Sequence, residues 1–143
     1  MTRFLDVRLA ILIVVGAALA GCGGSEGPER FELEGDVSFN GRPVPGGRLQ
    51  FVPDTQHGGS GPAGFAVIEN GHYDTRREGR GTVGGPHYVR IDGFDGNADP
   101  DNELPGGRPM FGRRTSAEIP RQHAQIDFSI PAESTAPIEA NVR

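Results

Sequence analysis

From Phe31 to Phe39 every second position is apolar or glycine: Phe31, Leu33, Gly35, Val37 and Phe39. Glu32, Glu34, Asp36 and Ser38 fall between them. A period of two sends alternate side chains to opposite faces, so this stretch reads as a half-buried strand. An amphipathic helix would repeat its apolar positions about every 3.6 residues. Asn40-Gly41 follows at once, a pair that tolerates the positive φ of a two-residue hairpin.

The same signature recurs along the chain. After the proline-rich connection Arg42–Gly47, Leu49 and Phe51 alternate with Arg48, Gln50 and Val52 as far as Pro53. The polar loop Asp54–Pro62 separates this run from Phe65, Val67 and Ile68, which stop at a second Asn-Gly pair, Asn70-Gly71. Short extended pieces are expected around Tyr73, at Thr82-Val83 and over Tyr88–Ile91, and Ile126, Phe128 and Ile130 alternate near the end. With 23 glycines, 12 prolines and no tryptophan in 143 residues, long helices are excluded and the core must be small. The spacing predicts an all-β, antiparallel sandwich of about seven strands, six to eight in all.

The first 21 residues have a different composition. Arg3 and Arg8 precede an unbroken run of apolar and small residues, Leu9–Ala20, too short for a membrane-spanning helix of about 20 residues and typical of a helical signal peptide. Leu19-Ala20-Gly21-Cys22 resembles the bacterial lipobox. That resemblance implies lipidation of Cys22, which becomes the new N-terminus, and Gly23 after it favours the outer membrane. Gly23–Arg30 carries no apolar side chain and reads as a flexible tether. The expected organisation is a signal peptide over 1–21, a tether over 22–30 and one folded domain over 31–143.

All 14 basic residues are arginine and 19 residues are acidic, for a net charge of -5; bulk electrostatics therefore excludes a basic nucleic-acid binder. Cys22 is the only cysteine, so no internal disulfide is available to an exported domain, and its stability must come from sheet hydrogen bonds and packing.

The succession Val37–Pro45 (VSFNGRPVP), Leu49–Pro53 (LQFVP), Asn70-Gly71-His72-Tyr73 and Gly84–Ile91 (GGPHYVRI) resembles carboxypeptidase regulatory-like, transthyretin-like domains, which occur in many bacterial envelope lipoproteins. The likeness spans roughly Glu34 to Ala132 and includes the closing Phe128–Ala132 (FSIPA). Gly85-Pro86 stands in inverted order relative to that family's pattern. The resemblance implies a Greek-key β-sandwich without catalytic machinery, since its motifs are turns and strands.

Catalysis is not expected from the residues either. Hydroxyisourate hydrolases share the transthyretin-like fold but end in a Tyr-Arg-Gly-Ser segment, whereas this chain ends Ala140-Asn141-Val142-Arg143. His57, His72, His87 and His123 are dispersed, and no nucleophile elbow or phosphate loop is present. Tyr73 and Tyr88 read as strand residues whose rings cover the core while their hydroxyls reach water.

Asp95, Asn97, Asp99, Asp101 and Glu103 offer oxygen at every second position, and calcium is the cation such a set would take. Pro100 stands where an EF-hand loop needs glycine, and Gly106 where it needs its bidentate glutamate. A solvated acidic insertion is the simpler reading, and no cofactor is expected. These features together lead to a membrane-anchored envelope lipoprotein with a structural or protein-interaction domain. A calcium- or carbohydrate-binding envelope domain is the alternative. Its partners would be the membrane, through Cys22, and an envelope protein or polysaccharide.

Overall fold

The computed structural model describes residues 27–143. The expected signal peptide, Cys22 and the first part of the tether lie outside the described residues. Among the described residues no helix is long and apolar enough to cross a membrane; the helical content consists of two 3-10 turns, Thr55–His57 and Pro100–Asn102.

The domain is all-β. Its strands are β1 (Leu33–Phe39), β2 (Arg42–Pro43), β3 (Gly46–Pro53), β4 (Gly64–Glu69), β5 (His72–Asp74), β6 (Gly79–Arg80), β7 (Gly85–Phe94), β8 (Pro109–Ile119), β9 (Ala124–Ile130) and β10 (Glu139–Val142). They form one ten-stranded sheet in the order β10-β9-β1-β5-β4-β3-β7-β8, with β2 on β1 and β6 on β4, rolled nearly into a barrel.

The expectation of a wholly antiparallel sheet is corrected. β1 and β9 run parallel, with Leu33 opposite Ala124 and Val37 opposite Phe128, so the sheet is mixed. Alternation decides which side chains are buried and holds no information about the direction of a partner some ninety residues away. The strand total also exceeds the expected six to eight, because the two-residue β2 and β6 and the longer β8 and β10 carry no alternating apolar signal, while the expected piece at Thr82-Val83 makes only a single bridge, Thr82 to Phe31. On the inward side of β8 stand Phe111, Arg113, Thr115, Ala117 and Ile119. An arginine and a threonine interrupt the apolar row, and Gly112-Arg113-Arg114 reads as a loop.

Both Asn-Gly turns form as expected. Asn40 and Gly41 take φ of 50° and 75°, and Asn70 and Gly71 take 51° and 79°, the left-handed pairs required by tight hairpins. The first hairpin has only the two-residue β2 as its return. Buried Val44 then carries the chain into β3, which pairs with β4 and β7 instead of β1.

The inward faces meet around three rings. Phe51, Tyr73 and Phe128 have mutual centroid distances of 6.2, 6.2 and 6.5 Å, spacings at which tilted aromatic pairs attract. Leu33, Val37, Leu49, Ile68, Val89 and Ile91 close round them. The seam beside β8 is bridged by side chains. Phe39 of β1 stacks on Phe111 of β8 at 4.7 Å, and the Arg113 guanidinium donates to the carbonyls of Pro131, Glu133 and Ala136 at 3.4, 3.1 and 2.6 Å.

Candidate functional site

The outer face of the β4-β3-β7-β8 sheet follows from the same alternation that buries Leu49, Phe51, Val89 and Ile91. The residues between them, Arg48, Gln50 and Val52 on β3 and Tyr88, Arg90 and Asp92 on β7, point to solvent. Register places Gln50 opposite Phe65 on one side and Arg90 on the other, Val52 opposite Tyr88, and Arg48 opposite Val67 and Asp92. On β8, Arg114 lies opposite Arg90 and Ser116 opposite Tyr88. A groove of about 380 Å³ runs over this face between Gln50, Val52, Tyr88, Arg90 and Arg114. Val52 is 43% exposed at its centre.

Two guanidinium groups lie over rings by diagonal cross-strand contact. The Cζ of Arg48 is 5.2 Å from the centroid of Phe65, and that of Arg114 is 5.1 Å from the centroid of Tyr88. Such stacking holds the flat cation in place and leaves its N–H edges free. Arg90 is committed to Asp92 through two hydrogen bonds of 2.8 and 3.1 Å. Among the described residues, Arg48 and Arg114 make no ion pair with a carboxylate. Arg90 and Arg114 stand directly opposite each other, a like-charge juxtaposition that costs stability.

Asp54 is buried and caps the Thr55–His57 turn by accepting from the Gln56 amide at 3.0 Å, while His57 Nδ1 lies 2.7 Å from its other oxygen. Burial works to raise the Asp54 carboxyl, but hydrogen bonding from His57 and from the Gln56 amide, together with the neighbouring Tyr88 phenol, outweighs it and holds the group below its ordinary value. The same contact with Asp54 pushes the Tyr88 phenol up. His57 is thus hydrogen-bonded to Asp54 at the end of β3, and Tyr88 carries the Arg114 guanidinium across from β8.

The other sequence candidates are dispersed. Asp95 Oδ1 accepts from the amides of Asn97 and Arg108, both at 2.9 Å, and Asp99 accepts from the Asn102 side chain at 2.9 Å. Asp101 lies in the Pro100–Asn102 turn, and Glu103 ends that turn in the left-handed conformation at φ 57°. The described residues contain no group of three or more histidine, cysteine or acidic side chains placed to hold a metal ion, so Asp95, Asn97, Asp99, Asp101 and Glu103 do not converge. Cys22 lies outside the described residues.

The histidines have separate local partners. His72 Nδ1 is 3.0 Å from Asp36, and His123 Nδ1 accepts from the Glu32 amide at 2.9 Å. His87 is buried and donates from Nδ1 to the Gly85 carbonyl at 2.9 Å.

The Tyr73 ring packs in the core as expected, but its hydroxyl does not reach water, and Tyr88 departs from its sequence reading altogether. The Tyr73 hydroxyl is buried and donates to the Ile126 carbonyl at 2.8 Å, and Tyr88 lies on the outer face under Arg114. The sequence signal for Tyr88 was available, since it alternates with Val89 and Ile91 on β7. Arg114 carried none, because β8 itself had no recognisable period. Comparison with protein-family models, with curated proteins and with solved structures returned no match.

Proposed function

We propose that this chain is a lipid-anchored protein of the bacterial cell envelope, held by Cys22 at a membrane, with the outer membrane favoured by Gly23. Its domain over 31–143 acts as a non-catalytic interaction module. The observation that carries this reading is the outer face of β4-β3-β7-β8, where stacked arginines, Tyr88, Phe65 and exposed Val52 share one surface. Arginine and tyrosine are the residue types that concentrate binding energy at protein interfaces. The Leu19-Ala20-Gly21-Cys22 pattern supports the anchor. The motif order from Val37 to Ala132 supports a transthyretin-like, Greek-key reading of the nearly closed barrel.

The functional test is photo-crosslinking in intact cells from a reactive side chain at Val52 on the proposed face, or at Asn141 on β10. We expect a reproducible partner from position 52, absent from position 141 and lost when Cys22→Ser releases the chain from its membrane. Equal capture from both positions would make the domain a passive spacer. Labelled fatty acid should enter the wild-type chain and not Cys22→Ser; equal labelling would end the lipoprotein reading.

A further inference from the structure

We infer that the occupant of this outer face is an extended acidic peptide segment of a partner protein, with Arg48 and Arg114 as its two carboxylate sockets. The inference rests on the interaction-module reading and specifies its partner. Both guanidinium groups are oriented by a ring beneath them and neither has a carboxylate among the described residues. A planar, preorganised guanidinium with free N–H edges matches a carboxylate in bidentate geometry. At one end Arg114 keeps its charge unpaired, whereas Arg90 directly opposite it is neutralised by Asp92.

The spacing sets the form of the ligand. Arg48 on β3 and Arg114 on β8 are separated by β7, two strand spacings apart, and are displaced by two residues along the strands, because Arg48 is level with Asp92 and Gly112. Strand spacing and rise then put their Cα atoms about 12 Å apart. In an extended peptide, side chains on one face recur at every second residue, and positions i and i+4 lie about 13 Å apart. The face therefore suits two carboxylates four residues apart on a segment that crosses the Arg90–Asp92 pair of β7, with Gln50 beside Arg48 on β3 to hydrogen-bond the peptide backbone and Val52 beyond it to take an apolar side chain.

Other anions fit less well. Sugar rings stack on open aromatic faces, and here both outward ring faces are covered by arginine. A nucleic acid or an anionic bilayer presents continuous negative charge, which the chain's net charge of -5 and the carboxylates of Glu69, Asp92 and Glu118 around this face would oppose. Two discrete carboxylates meet only Asp92 of these, directly opposite Arg48, and its charge is already taken by Arg90.

The test uses the full-length lipoprotein in neutral detergent micelles and a fluorescein-labelled synthetic peptide with two glutamates four residues apart in a Ser/Thr background. Anisotropy should rise with the glutamate peptide and not with its glutamine counterpart, and binding should weaken with salt. The double variant Arg48→Gln/Arg114→Gln should weaken it about fivefold or more, each single variant by less, with unchanged melting temperatures showing that the fold is intact. Equal binding of the two peptides, no binding of either, or no loss in the double variant would overturn the proposal. Arginine-dependent binding of polygalacturonate or of phosphatidylglycerol vesicles in place of the peptide would overturn it in favour of a polysaccharide or lipid ligand. Each of these failures would leave the cellular crosslink at Val52 standing or falling on its own.

Discussion

The Tyr73 hydroxyl donates to the Ile126 carbonyl at 2.8 Å, reaching from β5 to β9 across the intervening β1. It does so at Gly35, the residue directly opposite Tyr73 in the β1–β5 register. A methyl group at Gly35 would run into the same Ile126 carbonyl oxygen. The β1–β9 ladder is irregular here, and the Asp127 carboxylate completes it by accepting from the Asp36 amide at 3.0 Å. One glycine thus lets a buried ring and a turned carbonyl share the place where the parallel pair is stitched to the rest of the sheet.

Tyr73→Phe removes the donor and leaves a buried carbonyl unpaired, so it should cost about 1–3 kcal/mol in urea unfolding. Gly35→Ala forces backbone apart and should cost at least as much, about 1–3 kcal/mol or more. A neutral result for both would mean that β1 and β9 do not meet in this register.

Three carboxyl groups have folded values below the ordinary 3.8. Asp54 is lowered by hydrogen bonds that outweigh its burial, Asp74 chiefly by Arg76, and Asp95 chiefly by the Asn97 amide. A lowered folded value means that the unfolded chain binds the proton more readily. The stabilisation is therefore present above about pH 4 and is lost as pH falls through the folded values. Urea midpoints measured from pH 6 downward should drop below about pH 4, and the drop should be shallower in Asp54→Asn, which also starts from a lower midpoint at pH 6. An unchanged slope in that variant would remove Asp54 from the account.

Arg113 holds the β8 edge to the segment after β9 through three carbonyls. Replacing it with methionine keeps the apolar stem and removes the donors. We expect a loss of about 1–3 kcal/mol and faster hydrogen exchange in the peptide covering Pro131–Pro137, with little change in the β3–β7 pair. Uniformly faster exchange would instead indicate a global loss of stability.

The acidic loop should not respond to calcium. Asp95 and Asp99 spend oxygens on their own loop, and Asp101 and Glu103 do not join them. Melting temperature with and without millimolar calcium should agree; a rise that disappears in Asp99→Ala would establish a calcium site there.

Where a strand had a clean period of two, its burial could be read from residue types alone. Leu33, Val37, Leu49, Phe51, Ile126, Phe128 and Ile130 all lie in the core. β8 was illegible because its inward row includes Arg113, whose burial makes sense only once the carbonyls of Pro131, Glu133 and Ala136 are brought to it. The acidic alternation at 95–103 was legible as a pattern, whereas whether its oxygens meet was not. Its turns at Asn97 and Asn102 use the carboxylates locally, and convergence on an ion is a matter of three-dimensional path, not of spacing.

Turn preferences and side-chain alternation, both local properties of the chain, set the all-β class, the two Asn-Gly hairpins and the buried sides of β1, β3 and β9; on β4 the alternating Phe65 and Val67 face outward and Ala66 and Ile68 are buried. Tertiary structure alone decided that β9 lies parallel to β1, that β8 closes the sheet, and that Arg48 and Arg114 come to rest on Phe65 and Tyr88. Those relationships join residues that are distant in the chain, and their energy exists only when the sheet brings the partners together.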